Sequence, residues 1–213
     1  MEGNVIITLE KAREWYNSGN EALKEIALQA FIEKKLKPFT WKSIKTFEDA
    51  IDALNISETI VQDNISTITS IASVPFSRMM IAQYKLHIIK KALNGVDWKP
   101  TLNNGIIYYV GLKWYLKGYS YPVEYTKIGE FLDTYNDKYY NLVCNDSYYS
   151  SHNGLGNFYG GFVGAHGEYK ADIGLLGCKS KEIAQHLCKY FGKIIFDAIY
   201  GQYNNYEWVY TSL

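Results

Sequence analysis

Cysteine and proline are scarce in this sequence, long apolar runs are missing, and neither sign of charge is in excess. The three cysteines, Cys144, Cys178 and Cys188, are odd in number, spaced 34 and 10 residues apart, with no C-x-x-C pair. Neither a zinc ribbon nor a thioredoxin-like redox motif is available. They read as free, buried thiols in a reducing compartment. No stretch approaches the roughly 18 apolar residues of a membrane helix, so no membrane partner is expected. The N-terminus, Met1-Glu2-Gly3-Asn4-Val5-Ile6-Ile7, lacks the basic flank and apolar core of a signal peptide. The 22 basic and 22 acidic side chains balance. No global field then steers the chain to nucleic acid, and no sequence-specific nucleic-acid partner is expected.

Tyrosine is abundant: 20 of 213 residues, beside 9 Phe and 5 Trp. Its ring is apolar and its hydroxyl seeks a partner, so it serves equally well in a half-buried strand and on a binding face.

The chain reads as a single α+β domain, 1–213, with helices first and a sheet after. Thr8 caps a helix carrying Leu9, Ala12, Trp15 and Tyr16. Asn17-Ser18-Gly19-Asn20 ends it and caps a second helix over 21–31, giving a helical hairpin within 1–36. Thr46 caps a small helix with Phe47, Ala50, Ile51 and Leu54. Residues 56–75, rich in Ser, Thr and Ile, mix strand-like and turn-like signals. Pro75 opens a helix over 76–94 with a broad apolar stripe, which Asn94-Gly95 ends. The region 105–178 reads as an antiparallel sheet, with strands expected over 106–110, 112–116, 139–144, 158–163 and 171–178. Ser180 caps a helix over 181–200 that buries Ile183, Ala184, Leu187, Phe191, Ile194, Ile195 and Ala198. The tail, with Tyr203, Tyr206, Trp208 and Tyr210, adds an edge strand or docks on a neighbouring chain. Segregated helices and strands favour α+β over an alternating α/β fold.

The most distinctive stretch runs from Ser147 to Gly161, through Tyr148, Tyr149, His152, Gly154, Gly156 and Tyr159, and on to His166 and Tyr169. Gly, Ser, Asn and Tyr together make the composition of a recognition loop: rigid rings with adaptable hydrogen bonds. The same composition also suits a glycine-rich hairpin whose tyrosines pack on their own sheet. Tyr148, Tyr149, His152, Tyr159, His166 and Tyr169 are the candidate ligand- or partner-binding residues. Gly154-x-Gly156 begins a dinucleotide-binding pattern, but Tyr159 stands where the third glycine belongs and no helix follows. No phosphate-loop motif occurs. His152 and His166, with Glu168, Asp172 or Cys178, match no recognised ligand spacing, so no metal or cofactor is expected. Cys178, just before a helix whose N-terminus lowers a thiol pKa, is the best placed candidate nucleophile. His87 and His186 fall in helices and read as structural.

Two segments carry a resemblance. One is Thr8 to Phe31. The other is Ile173-Gly174-Leu175-Leu176-Gly177-Cys178-Lys179-Ser180-Lys181-Glu182-Ile183-Ala184, continuing through Cys188 to Lys193. Together they resemble uncharacterised proteins of phages and prophages of gut Bacteroidetes, including crAss-like phages, over about a third of the chain. The resemblance implies a phage origin and a place in the host cytoplasm or the virion. It supplies no catalytic residue. The expectation is a non-enzymatic protein acting by binding, as a virion, assembly or protein-interaction component, with a homo-oligomer or another phage or host protein as partner. The alternatives are an anti-defence binder that sequesters a host nucleotide signal, and a hydrolase working through His152, His166 and Cys178.

Overall fold

The computed structural model describes residues 6–37, 39–98, 106–109, 112–121, 123, 125–145, 149–152, 159–163, 166–170, 177–203 and 206–211. Helices in the first half, an antiparallel sheet and a closing helix make the expected α+β architecture. The chain nonetheless falls into two compact units, Met1–Ser43 and Ile44–Leu213, where the sequence shows no linker and reads as one domain. The division lies just beyond the hairpin, which has a core of its own.

In the first unit, α1 (Leu9–Asn17) starts at Thr8, whose hydroxyl accepts from the Lys11 amide at 3.2 Å. Gly19, at φ +75°, turns the chain, and Asn20 Oδ1 accepts from the Ala22 and Leu23 amides to start α2 (Glu21–Ala30). A one-turn helix, α3 (Glu33–Leu36), follows. Ala12, Ala27 and Leu36 are fully buried together, flanked by Leu9, Trp15 and Phe31.

The second unit opens with α4 (Phe47–Leu54). Thr46 Oγ1 accepts from the Asp49 amide while Asp49 Oδ2 accepts from the Thr46 amide, closing a capping box. Residues Glu58–Ile71, where the sequence mixes strand and turn signals, form a 14-residue helix, α5. Thr67 and Thr69 send their hydroxyls back to the carbonyls of Asp63 and Ile65, and Val61 is fully buried. Burial of Val61 and the tertiary hydrogen bond from Asn64 Nδ2 to Tyr84 Oη, 2.9 Å, override weak helix propensity here. The long helix α6 (Val74–Asn94) carries Pro75 in its first turn and ends at Gly95, φ 95°.

The strands are β1 (Ile106–Tyr109), β2 (Leu112–Leu116), β3 (Tyr125–Asp133), β4 (Lys138–Asn145), β5 (Tyr149–His152), β6 (Tyr159–Val163), β7 (His166–Lys170) and β8 (Tyr206–Thr211). β1 pairs with β5 alone, and the other six form one antiparallel sheet in the order β6-β7-β2-β4-β3-β8. β3, β5 and β7 are not among the expected strands. Of the expected strand 171–178, residues 171–176 lie outside the described residues.

The closing helix, α7 (Lys181–Tyr200), has the expected bounds, and the Ser180 hydroxyl accepts from the Ile183 amide at 3.3 Å. It packs on α6 at one side and on the sheet at the other, which is why its buried positions, from Ile183 to Ala198, extend round more than one stripe. Gly192 lies so close to Ile128 that a β-carbon would collide with it. Phe196 sits 4.8 Å from Phe131 and 5.6 Å, edge on, from Trp114. Cys144 on β4 and Cys188 on α7 form a disulfide, with Cα atoms 6.0 Å apart, so the expected free thiol is found only at Cys178. The tail takes the edge-strand alternative. Asp197 Oδ1 on α7 accepts from Tyr206 Oη at 2.7 Å and from Trp208 Nε1 at 2.9 Å, tying β8 to the helix.

Candidate functional site

One face of the six-stranded sheet is committed to α7. Strand alternation decides which residues remain on the other. On β2, Leu112 and Trp114 are buried toward the helix, leaving Lys113 and Tyr115 on the outer face. On β4 the register sets Tyr140, Leu142 and Cys144 inward, and Tyr139, Asn141 and Val143 outward. On β3 a bulge between Lys127 and Gly129 breaks the alternation. The extra residue turns Ile128 inward and lets Lys127 and Glu130, three apart, share the outer face. Lys127 Nζ then reaches Glu130 Oε2 at 2.9 Å.

A polar row crosses the outer face as a result. Tyr115 is the Cα partner of Asn141, and Asn141 of Glu130. The same register line continues to His166 on β7 and Tyr210 on β8. One row along the strands stand Lys113, Val143 and Lys127, in line with Glu168. The connection between β2 and β3 brings the ring of Tyr121 to 5.6 Å from that of Tyr115, and Tyr125 lies 6.2 Å away at 70°. Lys113 Nζ is 5.2 Å from the Tyr125 ring centre and Lys117 Nζ 5.4 Å from that of Tyr139. These contacts align ammonium groups with ring quadrupoles.

Glu130 is the charged centre of the row. Lys117 Nζ bonds Oε1 at 2.7 Å and Lys127 bonds Oε2, and only 8% of the side chain is exposed. The two lysine hydrogen bonds hold its carboxyl below the ordinary range, against the opposing effect of burial. A carboxylate so engaged has neither a proton to give nor much basicity to offer. Asn141 is different: it is 9% exposed, and its Oδ1 has no hydrogen-bond partner among the described residues.

The residues singled out in the sequence are spread over two sheets. Tyr149 and His152 lie on β5, in register with Tyr109 and Ile106. Tyr159 is on edge strand β6, in register with Lys170. His166 and Tyr169 are on β7, in register with Tyr115 and Leu112. Tyr148 lies outside the described residues. Among those described, His166 alone shares the register line of the polar row. Tyr115, Tyr121, Tyr125, Asn141 and Glu130 were not singled out from the sequence. The alternation in Leu112-Lys113-Trp114-Tyr115-Leu116 is the signal that marks Lys113 and Tyr115 as outward-facing.

The thiol of Cys178 is fully buried. Burial pushes it up to about 12, outweighing Lys90 and the Asn94 hydrogen bond, where a helix N-terminus was expected to lower it. His186 is structural, as expected: its Nε2 lies 2.7 Å from the Ile44 carbonyl, and burial lowers its pKa. Among the described residues no three His, Cys, Asp or Glu side chains are grouped to hold a metal, and no helix is long and apolar enough to cross a membrane. No protein-family model, curated protein or solved structure matches the chain.

Proposed function

We propose that this protein works by binding, and that the outer face of the six-stranded sheet is its binding surface. The observation that carries the reading is the cross-strand row Tyr115–Asn141–Glu130 with Tyr121 and Tyr125 beside it. Tyrosines supply contact area at low conformational cost, and they are enriched where proteins meet partners. A virion, assembly or protein-interaction role in a phage, the role implied by the resemblance of the terminal segments, fits such a face. The Cys144–Cys188 disulfide favours the virion over the host cytoplasm as its working place, because such bonds persist in oxidising surroundings.

Sequestering of a nucleotide signal is the second reading, favoured by the unpartnered Asn141 oxygen beside aromatic rings. A hydrolase using Cys178 is disfavoured by that thiol's burial and raised pKa. The test is to compare wild type with a Tyr115→Ala/Tyr125→Ala double variant, by native mass spectrometry and by cross-linking in infected host cells. The expected result is a defined oligomer, cross-linked partner or retained ligand that the double variant loses. A monomer with no partner or ligand, or one whose complexes survive the double substitution, overturns the reading.

A further inference from the structure

We propose that α5 is the contact through which two copies of this chain pair about a two-fold axis, helix antiparallel to helix. The surface is separate from the outer face of the sheet and goes beyond the binding reading given to that face.

α5 carries two stripes at the spacing of a helix–helix seam. Val61, Ile65 and Ile68 are fully or partly buried, and the cap residue Ala72 continues their line. One residue ahead of each stand Ile60, Asn64, Thr67 and Ile71, all exposed. Their 4-3-4 spacing aligns them along one side of the helix. Ile60 is 57% exposed and Ile71 72%, and the turn into α6 adds Val74 at 72% and Phe76 at 51%. Large apolar side chains gathered in this way mark a contact surface. From Asn64 to Ser77 no residue is charged, in a chain of which 21% is charged. The hydroxyls along the stripe are already served by the helix. Thr67 Oγ1 donates to the Asp63 carbonyl at 2.9 Å, and Ser70 Oγ to the Thr67 carbonyl at 2.8 Å. Covering them strands no hydroxyl hydrogen.

The order of the stripe selects a second copy as the occupant. Ile–Asn–Thr–Ile at 4-3-4 has the same pattern from either end, apolar at both ends and polar in the middle. A two-fold contact requires this self-complementarity, residue i meeting j while j meets i. Laid antiparallel, Ile60 meets Ile71 of the second copy, with Val74 and Phe76 beside it, and Asn64 meets Thr67. Asn64 Nδ2 spends one hydrogen on Tyr84 Oη at 2.9 Å. Its other hydrogen suits the Thr67 hydroxyl oxygen, whose own hydrogen is spent on the helix. Charge sets the direction. Both charges of α5, Glu58 and Asp63, lie toward its N-terminus. In a parallel pair each acid meets its own copy, whereas in an antiparallel pair each meets the charge-free end. Glu58 comes level with Ser73 of the second copy, where α6 starts with no acid in its first turn and no side-chain cap. A carboxylate is favourable at such a helix start.

The full-length protein is followed by sedimentation equilibrium over a dilution series. Wild type is expected to pass from monomer to dimer as concentration rises. Ile60→Glu and Ile71→Lys are each expected to weaken the dimer at least about tenfold, because an unpaired charge is desolvated twice in a two-fold contact. Both positions are exposed, so unfolding midpoints of the dilute monomers are expected to match wild type. The Ile60→Glu/Ile71→Lys double variant is expected to dimerise more tightly than either single variant. Antiparallel pairing sets its opposite charges face to face, while parallel pairing sets like on like. Such a regain cannot come from a misfolded single variant. A wild type that stays monomeric to millimolar concentration leaves α5 to a different protein and overturns the proposal. Single variants that dimerise as well as wild type, or a double variant no tighter than the singles, also overturn it. The dimer is expected to persist in the Tyr115→Ala/Tyr125→Ala variant, so the complexes that test the outer sheet face are those formed beyond this dimer. Failure of either reading therefore leaves the other standing.

Discussion

Glu130 shows how one inserted residue makes a charge cluster. Without the bulge at Ile128, Lys127 and Glu130 would stand on opposite faces of β3, and the carboxylate would lose one of its two lysines. Because the lysines depress its pKa, Glu130 stabilises the fold at neutral pH and the gain disappears in acid. Below an unfolded glutamate pKa of about 4.3 the unfolded chain binds a proton that the folded chain does not, so stability falls as pH falls toward the folded value. Glu130→Gln should remove this step. We expect the variant to be about 1 kcal/mol less stable at pH 7, since one lysine is well exposed and its pairing modest. The difference should shrink toward pH 3, as read from urea midpoints at both values. An undiminished difference at pH 3 would show that the carboxylate's charge is not what stabilises.

At the scale of elements, close approaches and caps fix how helices meet. A β-carbon on Gly201 would stand 2.8 Å from the Met79 amide nitrogen and 3.0 Å from its Cα. Those are backbone atoms that cannot rotate aside, so Gly201→Ala should cost about 1–3 kcal/mol by overpacking, measurable as a lower chemical-denaturation midpoint. Asp197 joins α7 to edge strand β8 through Tyr206 and Trp208. Asp197→Ala leaves both donors unpaired and should cost about 2–3 kcal/mol, with the earliest loss of amide protection in Tyr206–Thr211. The same elements show what sequence patterns reveal. The bounds of α7 were readable because an N-cap and a long apolar face agree, and the edge-strand alternative for the tail was readable from its aromatic content. α5 was obscured because Ile and Thr favour strands, and the contacts that override this preference, buried Val61 and the bond from Asn64 to Tyr84 on α6, are tertiary. β5 and β7 were hidden by Ser and Gly, which depress strand propensity, and β3 by its bulge, Gly129 and Glu130. The polar row was hidden for a related reason. Its three members come from separate strands, and the register that aligns them is a tertiary property.

Over the molecule as a whole, buried acids and one covalent tie govern how stability responds to solvent. Tyr140 and Tyr206 are pushed up by burial, with Asp133 adding to the first and Asp197 to the second, and Cys178 is pushed up to about 12 by burial. Each keeps its proton in the folded state at pH values where the unfolded chain has lost it. The unfolded state then binds fewer protons, so stability falls as pH rises from about 8.5, where an unfolded thiol ionises. Denaturant midpoints should decline above pH 9, and less steeply in Cys178→Ala. The disulfide acts at every pH. It closes a loop of sequence separation 44 between β4 and α7, which in the chain-entropy account stabilises by about 4 kcal/mol. Cys178 is buried and outside the disulfide, so thiol labelling separates the three cysteines. The native protein should resist iodoacetamide, the unfolded protein should take one label, and the unfolded, reduced protein three. Reduction should lower the thermal midpoint, and Cys144→Ala/Cys188→Ala should lower it to the same value with or without reductant. Three labels without reduction would show that no covalent tie joins helix and sheet.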